Sequence, residues 1–179
     1  MSDTSEYVIT RAREAAADGD WHQAYELLAD GDARGLIPSG ELPWLAEVSY
    51  AAGHLDATIE AWERAHLAAV RGGDELGAAG AAVRVALHIL IDTALMAPVR
   101  GWLSRAERLL EGKPPCPVHA WFGVARCYER LLSGDLDSVP RWALQAIEVG
   151  TQCDPAAAAV GRVAHARYLI IVGQVREGL

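Results

Sequence analysis

Residues 18–28, DGDWHQAYELL, open with a glycine that is followed by a polar, an apolar and a polar residue. The same pattern returns in AGHLDATIEAW (52–62), SGDLDSVPRWAL (133–144) and VGQVREGL (172–179). A more divergent copy, TALMAPVRGWL (93–103), has an alanine in the place of the glycine. Self-similarity at a period of about 20–50 residues indicates a repeat protein, so this stretch decides the fold.

Each copy marks the place where a helical hairpin turns. Glycine is favoured at that point because it readily adopts the left-handed backbone conformation that ends a helix. Asp56 and Asp137 follow their turns at positions that predict N-caps of the next helix, and Asp154 before Pro155 predicts a further helix start. The five turn marks are Gly19, Gly53, Ala94, Gly134 and Gly173.

The composition and the turn marks together predict an all-α fold. Hydrophobic residues make up 51% of the 179 residues, and alanine and leucine are abundant. We call the helix before each turn helix A and the helix after it helix B. Helix A is predicted over 4–18, 40–52, 75–93, 117–133 and 155–172. Helix B is predicted over 21–30, 55–71, 96–111 and 137–152.

This pattern resembles the tetratricopeptide repeat family over nearly the whole chain. The shared markers are the turn, a small or apolar residue five places later, and a small residue twelve places later. The first set is Ala24, Thr58, Val99, Val139 and Val175; the second is Gly31, Ala65, Ala106 and Ala146. Three repeats exceed the usual length of about 34 residues, so their helices are expected to be longer.

The resemblance implies a right-handed superhelix of antiparallel helix pairs, a single domain over 1–179 with about four and a half hairpins. WLSRAERLLEG (102–112) and GDLDSVPRWALQAIEVGTQCDP (134–155) are most similar to the repeat region that actinobacterial LuxR-type transcriptional regulators carry ahead of a DNA-binding helix-turn-helix. No DNA-binding element is seen in this sequence. A regulatory role follows from the resemblance as an expectation.

Charge and segment composition exclude several classes of partner. The formal net charge of −8 disfavours binding to nucleic-acid phosphates or to an anionic membrane surface. The first twenty residues lack the apolar core of a signal peptide, and no window approaches 18 consecutive apolar residues. Three cysteines without a secretion signal predict reduced thiols and a cytoplasmic location.

The stretch AAVRVALHILID (81–92) places a polar stripe on an otherwise apolar helix. Arg84, His88 and Asp92 are spaced by four, so they share one helix face. Tetratricopeptide-like repeats line their concave surface with helix A, and the resemblance assigns this stripe to that surface. The predicted groove for a ligand or partner contains Arg13, Glu47, Arg84, His88, Asp92, Trp121, Tyr128 and Arg167.

Two interpretations of this stripe stay open. Arg84, His88 and Asp92 contact a ligand, or they pair with one another along a solvated face for about 0.2–0.5 kcal/mol per pair. Trp121 is the tryptophan predicted to line the groove, where its indole N–H needs a partner. The other five tryptophans are predicted to be core: Trp21, Trp44, Trp62, Trp102 and Trp142.

The sequence contains no recognisable catalytic constellation. It has no nucleophile elbow, zinc-protease motif, phosphate-binding loop or dinucleotide fingerprint. Cys116 and His119 resemble half of a zinc site near Cys127, but the second half is missing and a tetrahedral site needs four ligands. We therefore expect no enzyme activity, no metal and no cofactor, and Cys127 is expected to be a small packed residue.

The end of the sequence predicts an exposed apolar surface. The chain stops where a fifth helix B begins, which leaves helix A over 155–172 without its partner. Three interpretations follow: a fragment of a longer regulator, end-to-end dimerisation, or a helix that folds back. The predicted oligomer interface consists of Val163, Leu169, Ile170 and Ile171, with Val160 also expected to be exposed.

The favoured function is non-enzymatic binding of a protein or peptide in a regulatory role. One alternative is a small-molecule sensor, with an effector enclosed near Trp121. Another alternative is an assembly module that dimerises through its C-terminal helix. Arg84 and Arg167 are expected to bind carboxylates, and Trp121 and Tyr128 to supply flat apolar contact.

Overall fold

The computed structural model describes residues 3–178, which form helices and connecting turns without a β-strand. This confirms the predicted all-α class. The helices are α1 (Asp3–Ala17), α2 (Trp21–Ala33), α3 (Leu42–Ala51), α4 (Leu55–Gly72), α5 (Glu75–Asp92), α6 (Met96–Leu110), α7 (Pro117–Ser133), α8 (Val139–Cys153), α9 (Pro155–Ile171) and α10 (Val175–Gly178). Among these described residues, no helix combines the length and apolarity that a bilayer crossing requires.

The helices belong to two compact units, which divide between Asp74 and Glu75. In the first unit α1 packs on α2, α2 on α3, and α3 on α4. In the second unit α5 packs on α6, α7 on α8, and α9 on both α8 and α10. The predicted helix pairs are therefore observed within each unit. One continuous repeat array over all 179 residues stays a prediction.

All five predicted turn marks adopt the left-handed backbone conformation. Their φ angles are +82° at Gly19, +86° at Gly53, +55° at Ala94, +77° at Gly134 and +87° at Gly173. Within residues 3–178, Ala94 is the one non-glycine residue with a positive φ. Its Cβ is strained against the following carbonyl there, so this hairpin forms at a cost that the other four avoid.

Replacing Ala94 by glycine is expected to stabilise the fold. Relief of left-handed strain outweighs the added backbone entropy of the unfolded chain, for a net gain of about 0.5–1 kcal/mol. Chemical denaturation followed by circular dichroism measures it. Ala159→Gly, at an exposed position inside α9, is the matched control and should lose about 1 kcal/mol. A loss of stability in Ala94→Gly would contradict the strain argument.

The two sets of repeat positions become core. Ala24, Thr58, Val99 and Val139, five places after their turns, are all fully buried. The residues twelve places after the turns, Gly31, Ala65, Ala106 and Ala146, are buried as well. Val175 differs: it is 46% exposed in the short helix α10. The repeat pattern therefore predicts which face each helix B buries.

Small residues bring helices together in the second unit. A Cβ added to Gly150 on α8 would lie 2.6 Å from the backbone nitrogen of Ala158 on α9. Ala146 on α8 touches both neighbouring helices, because its atoms would meet a Cβ at Gly123 of α7 and at Gly161 of α9 at 3.1–3.2 Å. These close approaches leave α8 seated between α7 and α9.

Helix α7 also contacts α5 and α9, so these three A helices form one layer of the second unit. The helices α6 and α8 pack on the same α7. Trp121 and Tyr128 share one face of α7, and His119, Phe122 and Arg126 share another, because seven residues complete about two turns and three or four complete one. The second unit thus presents two different surfaces, one on each side of α7.

The predicted N-caps Asp56 and Asp137 and the predicted core position of Trp21 were wrong. The N-cap of α4 is His54, and Asp56 lies inside the first turn; Asp137 lies in a short 3-10 turn, and α8 begins two residues later. Asp154 does cap α9, since its carboxylate accepts from the amide of Ala157. Trp21 is 42% exposed because, as the first residue of α2, its side chain projects past the helix end.

The remaining tryptophans divide between core and surface. Trp62 is buried, at 7% exposure, as predicted. Trp44, Trp102 and Trp142 are only half-buried, in contrast to the core position predicted for them. Each of these three indoles lies under a guanidinium, from Arg13, Arg105 and Arg141 respectively. In each pair the guanidinium lies over the apolar face of the indole in a cation–π contact.

The predicted interface on α9 is exposed in part. Val163, Ile170 and Ile171 are 52%, 43% and 58% exposed, whereas Leu169 and Val160 are half-buried. The prediction that Leu169 and Val160 are exposed was therefore wrong. Helix α10 packs on α9, and its Gly178 lies so close to Leu169 and Ile170 that a Cβ there would meet both side chains.

Candidate functional site

Trp121 on α7 is held by one residue on each side. Its indole N–H donates to a carboxylate oxygen of Asp154, the N-cap of α9, over 2.7 Å. The guanidinium carbon of Arg84 on α5 lies 5.1 Å from the centre of its ring, in a cation–π contact. The indole N–H therefore has a partner within the chain, and its place in a ligand groove stays a prediction. Three helices thereby fix one aromatic plane, and Trp121 remains half-exposed.

The polar stripe of α5 continues past Arg84. Nδ1 of His88 lies 4.0 Å from Oδ2 of Asp92, which is longer than a hydrogen bond. Arg84 stacks on Trp121 across the helix boundary. The two interpretations of the stripe, contact with a ligand and self-pairing, both stay predictions.

Tyr128 and Arg167 form a second cationic–aromatic pair beside the first. The guanidinium carbon of Arg167 on α9 lies 5.9 Å from the centre of the Tyr128 ring on α7. Arg167 is exposed, and its charge lowers the pKa of the Tyr128 hydroxyl, although burial dominates and raises it overall. We call the surface formed by Arg84, His88, Asp92, Trp121, Tyr128 and Arg167 the α5–α7–α9 face.

The same face continues into apolar side chains near the hairpin turns. Leu132 follows Tyr128 by four residues and is 59% exposed; Ile171 follows Arg167 by four and is 58% exposed. On an α-helix this spacing keeps both pairs on one side. Ile171 thus belongs to the face as well as to the predicted oligomer interface. The face combines cations, aromatic rings and exposed aliphatic groups, a composition typical of binding surfaces.

Two of the predicted groove residues belong to the first unit. Arg13 on α1 donates to both carboxylate oxygens of Glu41, at 2.9 and 3.0 Å, and its guanidinium carbon lies 5.2 Å from the centre of the Trp44 ring. Glu47 is exposed on α3. The structure therefore gathers six of the eight predicted groove residues in the second unit and places the other two in the first.

His88 is expected to make stability depend on pH. Burial lowers the pKa of His88 below its usual value of 6.5; Asp92 partly opposes this, and Arg84 adds to it. The unfolded chain thus binds this proton more readily, so stability is present above pH 6.5 and is lost as the pH falls below it. Denaturation at a series of pH values should show that the free energy of unfolding falls less steeply on acidification in His88→Gln than in the wild type.

Asp92→Asn supplies the matching test in the opposite direction. It removes the charge that favours protonated His88, so its acid loss below pH 6.5 should be steeper than that of the wild type. Equal slopes in the wild type, His88→Gln and Asp92→Asn would show that this histidine does not carry the effect.

Cys127 and Cys116 lie in different environments. Cys127 is fully buried against Val139, Ala143 and Ala164, and burial raises the pKa of its thiol to about 11. It is therefore the small packed residue that the repeat pattern predicts. The Cys116 sulfur lies 3.3 Å from Nδ1 of His119. Across residues 3–178, the structure holds no group of three cysteine, histidine or acidic side chains arranged to bind a metal ion.

The partners that position these side chains were not predicted from the sequence. Asp154 was recognised as a helix cap but not as the acceptor for Trp121, and neither Trp44 nor Glu41 was assigned to Arg13. A signal was available, since in each pair the arginine and the aromatic residue lie roughly one repeat apart in the chain. Residues one repeat apart occupy neighbouring A helices, so this spacing could have predicted the contacts.

Comparison with known proteins finds no family model and no curated protein that matches this sequence.

Proposed function

We propose that this chain is a non-enzymatic, tetratricopeptide-like recognition module that binds a protein or peptide segment on its α5–α7–α9 face. The single observation that carries the proposal is the pair of cation–aromatic contacts, Arg84 on Trp121 and Arg167 on Tyr128, side by side on three adjacent A helices. Aromatic and arginine side chains dominate the energetics of protein interfaces.

The chemistry of the face defines the segment that it binds. Arg167 is exposed and suited to a bidentate contact with a carboxylate. Leu132 and Ile171, exposed one helical turn further on, suit an aliphatic side chain of the same segment. The proposed partner is therefore a peptide segment that presents an acidic residue followed or preceded by aliphatic ones. In this proposal the module is cytoplasmic and regulates the activity of its partner, as the LuxR-type resemblance implies.

A selection from a library of short random peptides tests the proposal. The wild-type chain is the target, and the enriched peptides are then measured by calorimetry against Arg167→Met and Arg162→Met. Both arginines are exposed on α9, and only Arg167 belongs to the α5–α7–α9 face. Loss of one charge-assisted contact is expected to weaken binding about tenfold in Arg167→Met alone. Failure to enrich peptides, or equal affinity for both variants, would overturn the proposal.

Self-association is a second candidate function, and the exposed apolar residues of α9 and α10 favour it. Val163, Ile170, Ile171, Val172 and Val175 are all between 41% and 58% exposed. Sedimentation equilibrium compares the wild type with Ile171→Glu, and Leu67→Glu on α4, 52% exposed, is the matched control. A dimer that only Ile171→Glu dissociates supports this function, and a monomeric wild type rejects it.

A further inference from the structure

A second potential site lies on the other side of α7. A cleft of about 570 Å³ opens between α6, α7 and α8, lined by Glu107, Arg108, His119, Phe122, Arg141 and Trp142 among others. This volume lies within the range of about 300–1,000 Å³ that small-molecule sites occupy. All of its lining residues belong to the second unit, and none belongs to the α5–α7–α9 face.

Two aromatic rings form the apolar wall of this cleft. The rings of Phe122 and Trp142 meet edge to face, with centres 5.7 Å apart and an angle of 85° between planes. The guanidinium carbon of Arg141 lies 4.9 Å from the centre of the Trp142 ring. Phe122 is only 4% exposed, so the half-buried Trp142 offers most of the aromatic surface to a planar ligand, with a cation at one border.

The charges around the cleft favour an anion. Glu107 is neutralised by Arg126, whose Nη2 lies 2.6 Å from its carboxylate and whose side chain is 93% buried. The remaining charged lining consists of two guanidiniums, Arg108 and Arg141, and one carboxylate, Glu111. This local excess of positive charge stands out in a chain whose formal net charge is −8.

Arg126 supplies a further sign that polar groups converge on this side of α7. Its Nε is buried without a hydrogen-bond partner within the described structure. It lies on the same helix face as His119 and Phe122, at spacings of seven and four residues, and its guanidinium carbon is 5.3 Å from the Phe122 ring centre. Arg126 does not itself line the cleft, and it acts there through Glu107, whose charge it neutralises.

From these observations we propose that the α6–α7–α8 cleft binds a small aromatic carboxylate. The ring packs against Phe122 and Trp142, and the carboxylate pairs with Arg141 and Arg108. The cleft shares no lining residue with the α5–α7–α9 face, so it gives the module a separate site for a small molecule. Helix α7 takes part in both sites, since Trp121 and Phe122 are neighbours in sequence and lie on different faces of it.

Calorimetry with 2-naphthoate as the probe, and the uncharged 2-naphthylmethanol as its matched analogue, tests the proposal on the full chain. The wild type is expected to bind the acid saturably and at least about tenfold more tightly than the alcohol. Arg141→Gln should weaken binding of the acid about tenfold and leave the alcohol unchanged. The control Arg162→Gln, at an exposed position on α9 outside the cleft, should behave as the wild type.

A blocking variant keeps the test independent of charge. Ser104 is an exposed cleft residue, and Ser104→Trp should abolish binding of both probes because the larger side chain fills the space. The proposal is overturned if neither probe binds saturably to the wild type, or if the acid and the alcohol bind equally. It is also overturned if Arg162→Gln weakens the acid as much as Arg141→Gln does, or if Ser104→Trp, folded by circular dichroism, still binds both.

Discussion

Arg100→Met is expected to destabilise the protein by about 2–3 kcal/mol, because it leaves a buried carboxylate without its main partner. Glu129 on α7 is fully buried. Its Oε1 accepts from Nε of Arg100 at 2.7 Å and from the Ser133 hydroxyl at 3.2 Å. Nε of Arg130 lies 3.1 Å from the other oxygen, but without hydrogen-bond geometry. Arg100 therefore provides the strongest compensation for this buried charge.

The double variant Arg100→Met with Glu129→Met gives the sharper result. It removes both charges, so no carboxylate is left buried and unpaired, which is where most of the cost of Arg100→Met arises. The double variant should be about 2 kcal/mol more stable than Arg100→Met alone in urea denaturation. Arg108 is exposed on the same helix as Arg100. The stability of Arg108→Met should stay within about 0.5 kcal/mol of that of the wild type. If the double variant loses as much stability as Arg100→Met and Glu129→Met lose in sum, this explanation of the role of Glu129 is contradicted.

Gly150→Ala is expected to cost about 2 kcal/mol, although alanine is the better helix former. The added Cβ would lie 2.6 Å from the backbone nitrogen of Ala158 and 3.0 Å from its Cα, so α8 and α9 must separate. The obstacle is backbone, which cannot move aside as a flexible side chain can. Thermal and urea denaturation measure the loss.

Gly101→Ala is the matched control for this substitution. Gly101 is exposed inside α6, and its Cβ would meet only the end of the Arg105 side chain, at 3.7 Å. The same chemical change should there stabilise the protein by about 1 kcal/mol. Opposite signs for the two variants are the expected result, and a gain in both would show that α8 and α9 are not in close contact at Gly150.

The helices and their buried faces could be predicted from sequence because they depend on local and periodic signals. The chain turns at the recurring glycines Gly19, Gly53, Gly134 and Gly173. The repeat period places Ala94 at its turn as well. Val99 and Val139 are buried because they occupy equivalent positions of their repeats. Local propensity, period and packing agree at these positions, which is the condition under which a sequence specifies its structure.

The candidate site was only partly predictable, because its contacts join different helices. The spacing of Arg84, His88 and Asp92 predicts a shared face but not that Arg84 stacks on Trp121. The cleft beside Phe122 and Trp142 was missed entirely, since the repeat pattern assigns Trp142 to the core. Which side chains meet across helices depends on the separation and rotation of the helices, and small residues such as Gly123 and Gly150 determine these.

The recurrence of arginine over an aromatic ring connects the fold to the proposed function. Arg13 with Trp44, Arg84 with Trp121, and Arg167 with Tyr128 each join two A helices. A guanidinium held over a ring has lost part of its freedom before a ligand arrives, so less entropy is lost when it then binds a carboxylate. Such preorganised cations are suited to recognition of an acidic segment.

The most direct test of the recognition face is an amide and indole chemical-shift titration of the isotope-labelled chain with a peptide from the selection. The largest shifts are expected on Arg84, His88, Trp121, Tyr128 and Arg167, including the Trp121 indole N–H that donates to Asp154. Shifts centred on Phe122 and Trp142, or on α10, with the α5–α7–α9 face unchanged, would contradict this expectation.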